Sequence, residues 1–430
     1  MELERVEDGA GSKRNSCEDG AGRLSVFVPS IDISNGKAVQ LRRSEELVIV
    51  DQRTPEELAE RLGRYGEIAV IDLDAAKGKG DNFELVKRLC RIAPVRAGGG
   101  IRTVGDAREL LRAGAEKLII GTAATPEFLS QLPRERVMVA LDVRGFEVLD
   151  AGWTRSTGED IFARAERLKD YCSGFLCTFV EDEGTLSGLN RRKLEQLAKR
   201  LPLPITVAGG VDSADDVLFA DSLGVDVQIG MAWYKGKLDY SELFCDLVRI
   251  GDSLVPTIVQ DTSGQVLMLA WSNRESLIKS LDTGQATYYS RSRRKLWTKG
   301  ETSGNTQKLL RCMFDCDRDA LLFIVEQKGV ACHTGSFSCF GPKQFSMLHL
   351  EDKLRRRAAE RVEGSYTVKL IETPNLLGSK IREEARELAD AKSVEEVIWE
   401  AADVIYHLMV KLVSAGVSWS DVMRELRGRE

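Results

Sequence analysis

Cys316, Cys332 and Cys339 fall within 24 residues of one another, and His333 directly follows the second of them. Three thiolates around a tetrahedral Zn2+ leave one position open, and a catalytic zinc needs that position to bring the pKa of a water towards about 7. His333 could instead close the shell as a structural Cys3His site. Asp315, Asp317 and Asp319 are interleaved with the first thiol in the run DCDRD. At single-residue alternation they should share one face of an extended segment, a row of hard oxygens suited to Mg2+, with the soft thiolate on the other face. A purely structural site has no use for a second metal.

A second acidic group lies further along. Glu383, Glu384 and Glu387 fall on one predicted helix and Glu400 and Asp403 on the next, at spacings that put carboxylates on one helical face. A lone EExxE is ordinary on a surface helix. Glu400 and Asp403, however, sit in the otherwise apolar WEAADVIYHLM, where carboxylates without a partner are costly. Two such faces in apposition make an oxygen-only Mg2+ site. Upstream, SRSRRKLWTKGETSGN (290–305) carries Arg291, Arg293 and Lys299, with Glu301, Thr302, Ser303 and Asn305 following. Its cations, hydroxyls and amide suit phosphate and ribose. As a bare charge run it would be a solvated or RNA-binding face.

Glycines mark a third candidate site. An offset of 110 superposes Gly99-Gly100-Ile101 on Gly209-Gly210-Val211 and Gly114 on Gly224, and a one-residue slip pairs Gly121 with Gly230. Each Gly-rich end follows a strand, where backbone N–H groups can cradle a phosphate. Two such ends suit a substrate phosphorylated at both ends.

The elements needed to hold these groups are legible as patterns. VFVPSID, IAVIDLD, PVRAGGG, KLIIGTA, VMVALDV, FLCTFVED, PITVAGG and DVQIGMA read as eight strands, with helical crossovers such as Pro55 to Leu62, Val104 to Ala113 and Asp215 to Leu223. That alternation, doubled by the repeat, predicts a (β/α)8 TIM barrel over 24–248 rather than an open α/β sheet. A β-rich α+β metal-binding domain is expected over 251–342, and an all-α domain over 347–430, its first helix broken at Gly364 and Ser365. The polar, Gly-rich 1–23 reads as a disordered tail rather than a signal or transit peptide.

Composition narrows the function classes. The 430 residues are 43% apolar and 30% charged, with a net charge of -6, so nothing favours global nucleic-acid binding, and no apolar run is long enough for a spanning helix. Nine cysteines, an odd number in a large chain, read as reduced thiols in a cytosol-like compartment. Small molecules are the expected partners, without nucleic acid or membrane.

The motifs also carry resemblances. YYSRSRRKLWTKGETSGN, DCDRDALL, ACHTG and SCF resemble phosphoribosyl-AMP cyclohydrolase of histidine biosynthesis, over about 252–341. The resemblance implies Zn2+ on Cys316, Cys332 and Cys339, with Cys316 contributed across a homodimer interface, and Mg2+ on Asp315, Asp317 and Asp319. It implies that His333 is an acid/base beside a water that opens the adenine ring. Ser336 and Phe337 depart from a basic pair many members carry.

SYTVKL, KIREEA and EAADVIYHL resemble phosphoribosyl-ATP pyrophosphohydrolase, of the helical MazG-type pyrophosphohydrolases, over about 347–430. Glu383, Glu384, Glu387, Glu400 and Asp403 would then hold Mg2+ and Lys380 would meet phosphate. Arg382 stands where many members have Gly, and His407 reads as a packing residue.

VPSIDISNGKAVQL, VIDLDAAKG, GGGIRT, ALDV, GTLSGLN and AGGV are similar to phosphoribosylformimino-aminoimidazole carboxamide ribotide isomerase, over about 24–240. An aldose–ketose isomerisation needs an acid and a base on opposite sides of the opened sugar. Asp32 and Asp142, at the ends of the first and fifth strands, match that family's base and acid. Gly99, Gly100, Arg102, Gly121 and Thr122 would bind phosphate on one side of the mouth, and Gly209, Gly210 and Gly230 on the other. This region departs most from its family. Gln40 stands for an Arg, Arg43-Ser44-Glu45 for Gln-Gly-Asp, Met231 for an Arg, and the stretch from Thr178 to Thr185 for TDIxxDGT.

The resulting expectation is a fusion of three consecutive activities on phosphoribosyl nucleotides. The alternative is a bifunctional hydrolase whose barrel is a scaffold or regulator. The domain order is similar to the front of fungal fusion enzymes of this pathway, without their dehydrogenase domain.

Overall fold

The structure, a computed structural model, describes residues 26–42, 46–150, 152–153, 155–250 and 254–428. The expected tail (1–23) and the departure at Arg43-Ser44-Glu45 lie outside the described residues.

Eight strands, β1 (Phe27–Ser34), β2 (Ile68–Asp72), β3 (Val95–Gly98), β4 (Lys117–Ile120), β5 (Val137–Arg144), β6 (Gly174–Phe179), β7 (Ile205–Ala208) and β8 (Asp226–Ile229), pair in parallel in chain order. β8 closes on β1, with Phe27 opposite Val227 and Pro29 opposite Ile229. This is the closed eight-stranded barrel the sequence pattern predicts. Two antiparallel hairpins were not foreseen: Lys37–Arg42 with Glu46–Val50 extends from β1, and Glu147–Asp150 with Arg155–Asp160 extends from β5. Three of these strands, KAVQLR, ELVIV and EVLD, do carry apolar residues, but they are only four to six residues long and lie outside the strand–helix alternation, while RSTGED is polar. The hairpins grow from the first strand of each half, so the internal repeat extends to these ornaments.

The crossover helices form for local reasons. Helix α1 (Val104–Ala113) starts at Thr103, whose side chain accepts from Asp106 N–H, and stops at left-handed Gly114. It lays Ala107, Leu110 and Leu111 on the strands. Helices α2 (Ala214–Ser222) and α3 (Tyr240–Leu247) complete the wall after β7 and β8. The barrel floor is charged: the Arg96 guanidinium on β3 meets Glu67 at 2.5 Å, Asp226 at 3.6 Å and Thr206 Oγ1 at 2.9 Å, so its buried charge is paired.

After the barrel, helix α4 (Arg274–Thr283) packs with strands β9 (Val255–Asp261), β10 (Val266–Ser272), β11 (Gln307–Phe314) and β12 (Leu321–Gln327), ordered β10-β9-β12-β11. A separate hairpin pairs Thr287–Ser290 with Lys295–Thr298. The apolar core runs without a break from the barrel into this domain, through Phe244 and Cys245 of α3, Leu277 and Leu281 of α4, and Cys312 of β11.

Helices α5 (Met347–Glu360), α6 (Tyr366–Glu372), α7 (Pro374–Asp390), α8 (Val394–Ser414) and α9 (Trp419–Arg427) form the all-α end, with Gly364 and Ser365 between the first two as expected. They have their own core of Leu354, Leu370, Leu377, Met409 and Val410. This domain meets the barrel through α9, where Arg427 pairs with Glu116 at 2.6 Å and Glu425 with Arg112 at 3.3 Å. Among the described residues no single helix is long and apolar enough to cross a membrane.

Two local expectations need correction. DCDRD is not an extended segment with alternating faces but a turn joining β11 to β12, with Arg318 left-handed at φ 64° and Asp315 Oδ1 accepting from the N–H groups of Asp319 and Ala320. Helix α8 is not sheathed in protein as its apolar sequence suggested: Ile398 is 65% and Trp399 72% exposed, so Glu400 and Asp403 are only half-buried.

Candidate active sites

A cavity of about 250 Å³ opens at the C-terminal ends of the barrel strands, lined throughout by barrel residues. Asp32, Asp142, Gly99, Gly100, Arg102, Gly121, Thr122, Gly209, Gly210 and Gly230 all border it. The glycine turns are required by conformation and by contact. Gly99 and Gly209 share φ 94°, and a Cβ on them would stand 2.2 Å from Asp72 O and 2.8 Å from Phe179 O. Arg102 is committed to the loop after β2, donating to Ala75 O at 2.8 Å and Ala76 O at 3.0 Å.

Asp32 and Asp142 project from β1 and β5, half a barrel apart. Burial raises the Asp32 carboxyl to about 6 against a 3.0 Å hydrogen bond from Ser30, and raises Asp142 against hydrogen bonds with Trp153 and Thr178. Sequence reading missed a third carboxylate, Glu183, which burial and the charges of Asp32 and Asp142 push up to about 8. The only signal was its place in the stretch that departs from the isomerase pattern. Gln40, standing for an arginine, is buried with its amide against Gly230, where a Cβ would meet Oε1 at 2.7 Å.

In the second domain, the Cys332 turn is closed by Ala331 N–H to Phe337 O at 2.9 Å and Cys332 N–H to Ser336 O at 3.2 Å. Cys339 N–H is tied to Leu267 O of β10 at 2.8 Å. The two thiols are adjacent: hydrogen bonds from Thr334 and a contact with Cys339 lower the Cys332 thiol, while burial and Cys332 raise Cys339. Lys299 sits beneath them, donating to Ala331 O at 2.8 Å, and His333 is exposed on the turn. Asp315, Asp317 and Asp319 bring oxygens within 4.8 Å of one another. Cys316 is exposed, and among the described residues no group of three potential metal ligands joins it to Cys332 and Cys339.

The phosphate segment divides. Arg291 lies 4.4 Å over the Trp271 ring, and Arg293 Nε donates to Ser290 Oγ at 3.3 Å. Glu301, Ser303 and Asn305 accept backbone N–H groups from Thr298, Asn305 and Val330, and Thr302 is exposed between them. Of the two departures near the Cys332 turn, Ser336 donates to Gly341 O at 2.8 Å, and Phe337 lies under Lys343 Nζ at 5.4 Å.

In the helical domain, Glu384 and Glu387 of α7 and Glu400 of α8 converge within 4.8 Å. The Glu400 carboxyl is raised by burial and by the charges of Glu387, Glu384 and Asp403. Glu383 stands outside this group, with Lys380 Nζ 2.8 Å from it and 3.4 Å from Glu384. His407 is buried, its Nδ1 2.8 Å from Asp403 O.

These donor sets fit the implied metals: paired soft thiolates for zinc, and two clusters of hard carboxylates for magnesium. The architecture defines a multidomain enzyme with a carboxylate-lined barrel and two metal-hydrolase-like domains. Residues 26–239 match the family described as histidine biosynthesis protein, 268–341 phosphoribosyl-AMP cyclohydrolase, and 347–430 phosphoribosyl-ATP pyrophosphohydrolase. The chain is 46% identical over 192 residues to a histidine biosynthesis bifunctional protein HisIE of Pyrococcus furiosus, covering 41% of this chain and 92% of that protein. The HisIE of Bacillus subtilis matches equally, with the same coverage. A histidine biosynthesis trifunctional protein of Saccharomyces bayanus is 48% identical over 176 residues, 41% of this chain. The chain spans 22% of the length of that trifunctional relative. By these matches the chain belongs to the HisIE family of histidine biosynthesis, with an isomerase-like barrel ahead of the two hydrolase domains.

Proposed function

We propose that the chain carries out three consecutive steps. The helical domain cleaves phosphoribosyl-ATP to phosphoribosyl-AMP and pyrophosphate, the middle domain opens the adenine ring hydrolytically, and the barrel isomerises the resulting aminoaldose to an aminoketose. The observation that carries this reading is the convergence of two carboxylate clusters, Asp315 with Asp317 and Asp319, and Glu384 with Glu387 and Glu400, inside the two regions matched to hydrolase families.

In the helical domain Glu384, Glu387 and Glu400 would hold Mg2+, flanked by Glu383 and Asp403, and Lys380 would meet a substrate phosphate. In the middle domain Cys332 and Cys339 supply two soft donors from one chain. The separation of Cys316 from them supports a homodimer in which the partner completes the zinc set. Zinc held there would supply Lewis acidity to a water, and His333, exposed on the same turn, would carry a proton. Arg291, over the Trp271 ring, and Arg293, beside Ser290, would meet a substrate phosphate. In the barrel the paired glycine turns present N–H groups to two phosphates, and Asp32, ionised above about 6, serves as base across the cavity from Asp142. The match to biosynthetic enzyme families supports a cytoplasmic setting.

A second reading, the barrel as scaffold, is favoured by one observation: its core is continuous with that of the middle domain. The two are separated by incubating the full chain with phosphoribosyl-ATP, Mg2+ and trace Zn2+ and resolving aldose from ketose by chromatography. Ketose formation, with Asp32→Asn stopping at the aldose and Cys332→Ser stopping at phosphoribosyl-AMP, supports three activities. Wild type that stops at the aldose makes the barrel a scaffold, and untouched phosphoribosyl-ATP refutes the whole reading.

A further inference from the structure

The DCDRD turn is held from outside its own domain. Arg318, inside the turn, points its guanidinium away from the three neighbouring carboxylates and onto Asp221 of barrel helix α2, with Nη1 2.6 Å from Oδ2 and Nη2 2.7 Å from Oδ1. Both side chains are mostly buried, at 22% and 15% exposure, so this bidentate pair is shielded from solvent in a way surface ion pairs are not. Two further contacts act on the same turn. Arg249 N–H, in the link that leaves the barrel, donates to Arg318 O at 2.9 Å. The Phe314 ring under the guanidinium lies 5.5 Å from the Phe244 ring of α3.

Asp221 stands in the last turn of α2, where a carboxylate opposes the helix dipole and the Arg318 guanidinium offsets that opposition. Within its own turn, a mobile Arg318 guanidinium among Asp315, Asp317 and Asp319 would pair with the oxygens that a divalent cation needs. The pair resolves both conflicts at once.

We propose that Asp221 is a positioning residue for the middle domain's divalent-cation site. By capturing Arg318, the barrel keeps the guanidinium off the carboxylate cluster and fixes the left-handed turn that brings the three oxygens together. This gives the barrel a part in the cyclohydrolase step whether or not it isomerises anything. The proposal rests on the reading of Asp315, Asp317 and Asp319 as cation ligands.

The test uses the full chain. Asp221→Asn and Arg318→Lys, each of which breaks the bidentate charged pair, are compared with wild type and with Asp221→Glu, which can restore it. Two quantities are followed: the Mg2+ concentration giving half-maximal cyclohydrolase activity, and hydrogen–deuterium exchange of the peptide spanning 314–321 with and without Mg2+. Both disrupting variants should need about 5–10-fold more Mg2+, with kcat at saturation near wild type, and show faster exchange of the turn. Asp221→Glu should recover much of both. The Mg2+ requirement for pyrophosphate release, on the same chain, should not move and reports that the variants are folded. Equal exchange and equal Mg2+ requirement in wild type and the disrupting variants would overturn the coupling. A wild-type turn whose exchange ignores Mg2+ would overturn the cation reading beneath it, and the proposal with it.

Discussion

Three carboxylates meet in the barrel cavity; burial raises all of them, and the charges of Asp32 and Asp142 add to the shift of Glu183. Glu183 feels this most: its folded value of about 8 stands well above the unfolded 4.5. The sign of its effect on stability follows. Below about 4.5 both states hold the proton and nothing is lost; as pH rises towards 8 the unfolded chain releases it first, so the folded state loses stability across that window. Glu183→Gln removes the loss. Its melting temperature should match wild type near pH 4 and exceed it by about 2–4 °C or more at pH 8, since each kcal/mol moves a domain of this size by that much. A constant offset at all pH values, or none, would show that Glu183 titrates normally. At this scale the sequence was informative where chemistry demands a residue type: the glycines at φ 94° border the barrel cavity with Asp32 and Asp142, and Cys332 and Cys339 are neighbours. Glu183 was hidden because nothing in its local pattern shows that β6 brings it across to β1 and β5.

At the scale of elements, alternation and caps made the eight strands, the crossover helices and the helical end legible, since each is dictated by neighbours within a few residues. What was misread depends on distant contacts. DCDRD alternates like a strand, yet hydrogen bonds from Asp319 and Ala320 N–H to Asp315 fold it into a turn, and Asp221, 97 positions away, holds that turn. The three thiols proposed for zinc also lie on different elements, Cys316 on the β11–β12 turn and Cys332 with Cys339 beside β10. A zinc set shared between two copies predicts complementation. Cys316→Ser and Cys332→Ser homodimers should each lack cyclohydrolase activity and bound zinc. Mixed, unfolded and refolded together, they should regain about a quarter of wild-type activity, because half the dimers are hybrids in which one of two symmetric sites is intact. No recovery on mixing, with hybrids verified by native mass spectrometry, would place all three thiols in one chain.

At the scale of the whole molecule, both hydrolase domains touch the barrel at the end away from its mouth. Arg64 donates to Leu281 O and Asp282 O from the segment just before β2, Asp221 lies at the end of α2 ahead of β8, and Glu116 immediately precedes β4. Strand N-termini and helix C-termini are the stabilising face of such a barrel, whereas the cavity with its glycine turns sits at the strand C-termini. β1 alone, eight residues long, spans about 25 Å between the two ends. Within one chain, therefore, fusion does not bring the sites together, and on the proposed reading an aldose released by the middle domain would have to cross solvent to reach the barrel cavity. Supplying isotopically labelled phosphoribosyl-ATP together with an excess of unlabelled aldose should give ketose whose label is diluted in proportion to the bulk pool, with a lag before ketose appears. Ketose that keeps its label against the unlabelled pool would mean that a partner copy's mouth faces the middle domain, and that the dimer rather than the chain is the unit in which the steps are joined.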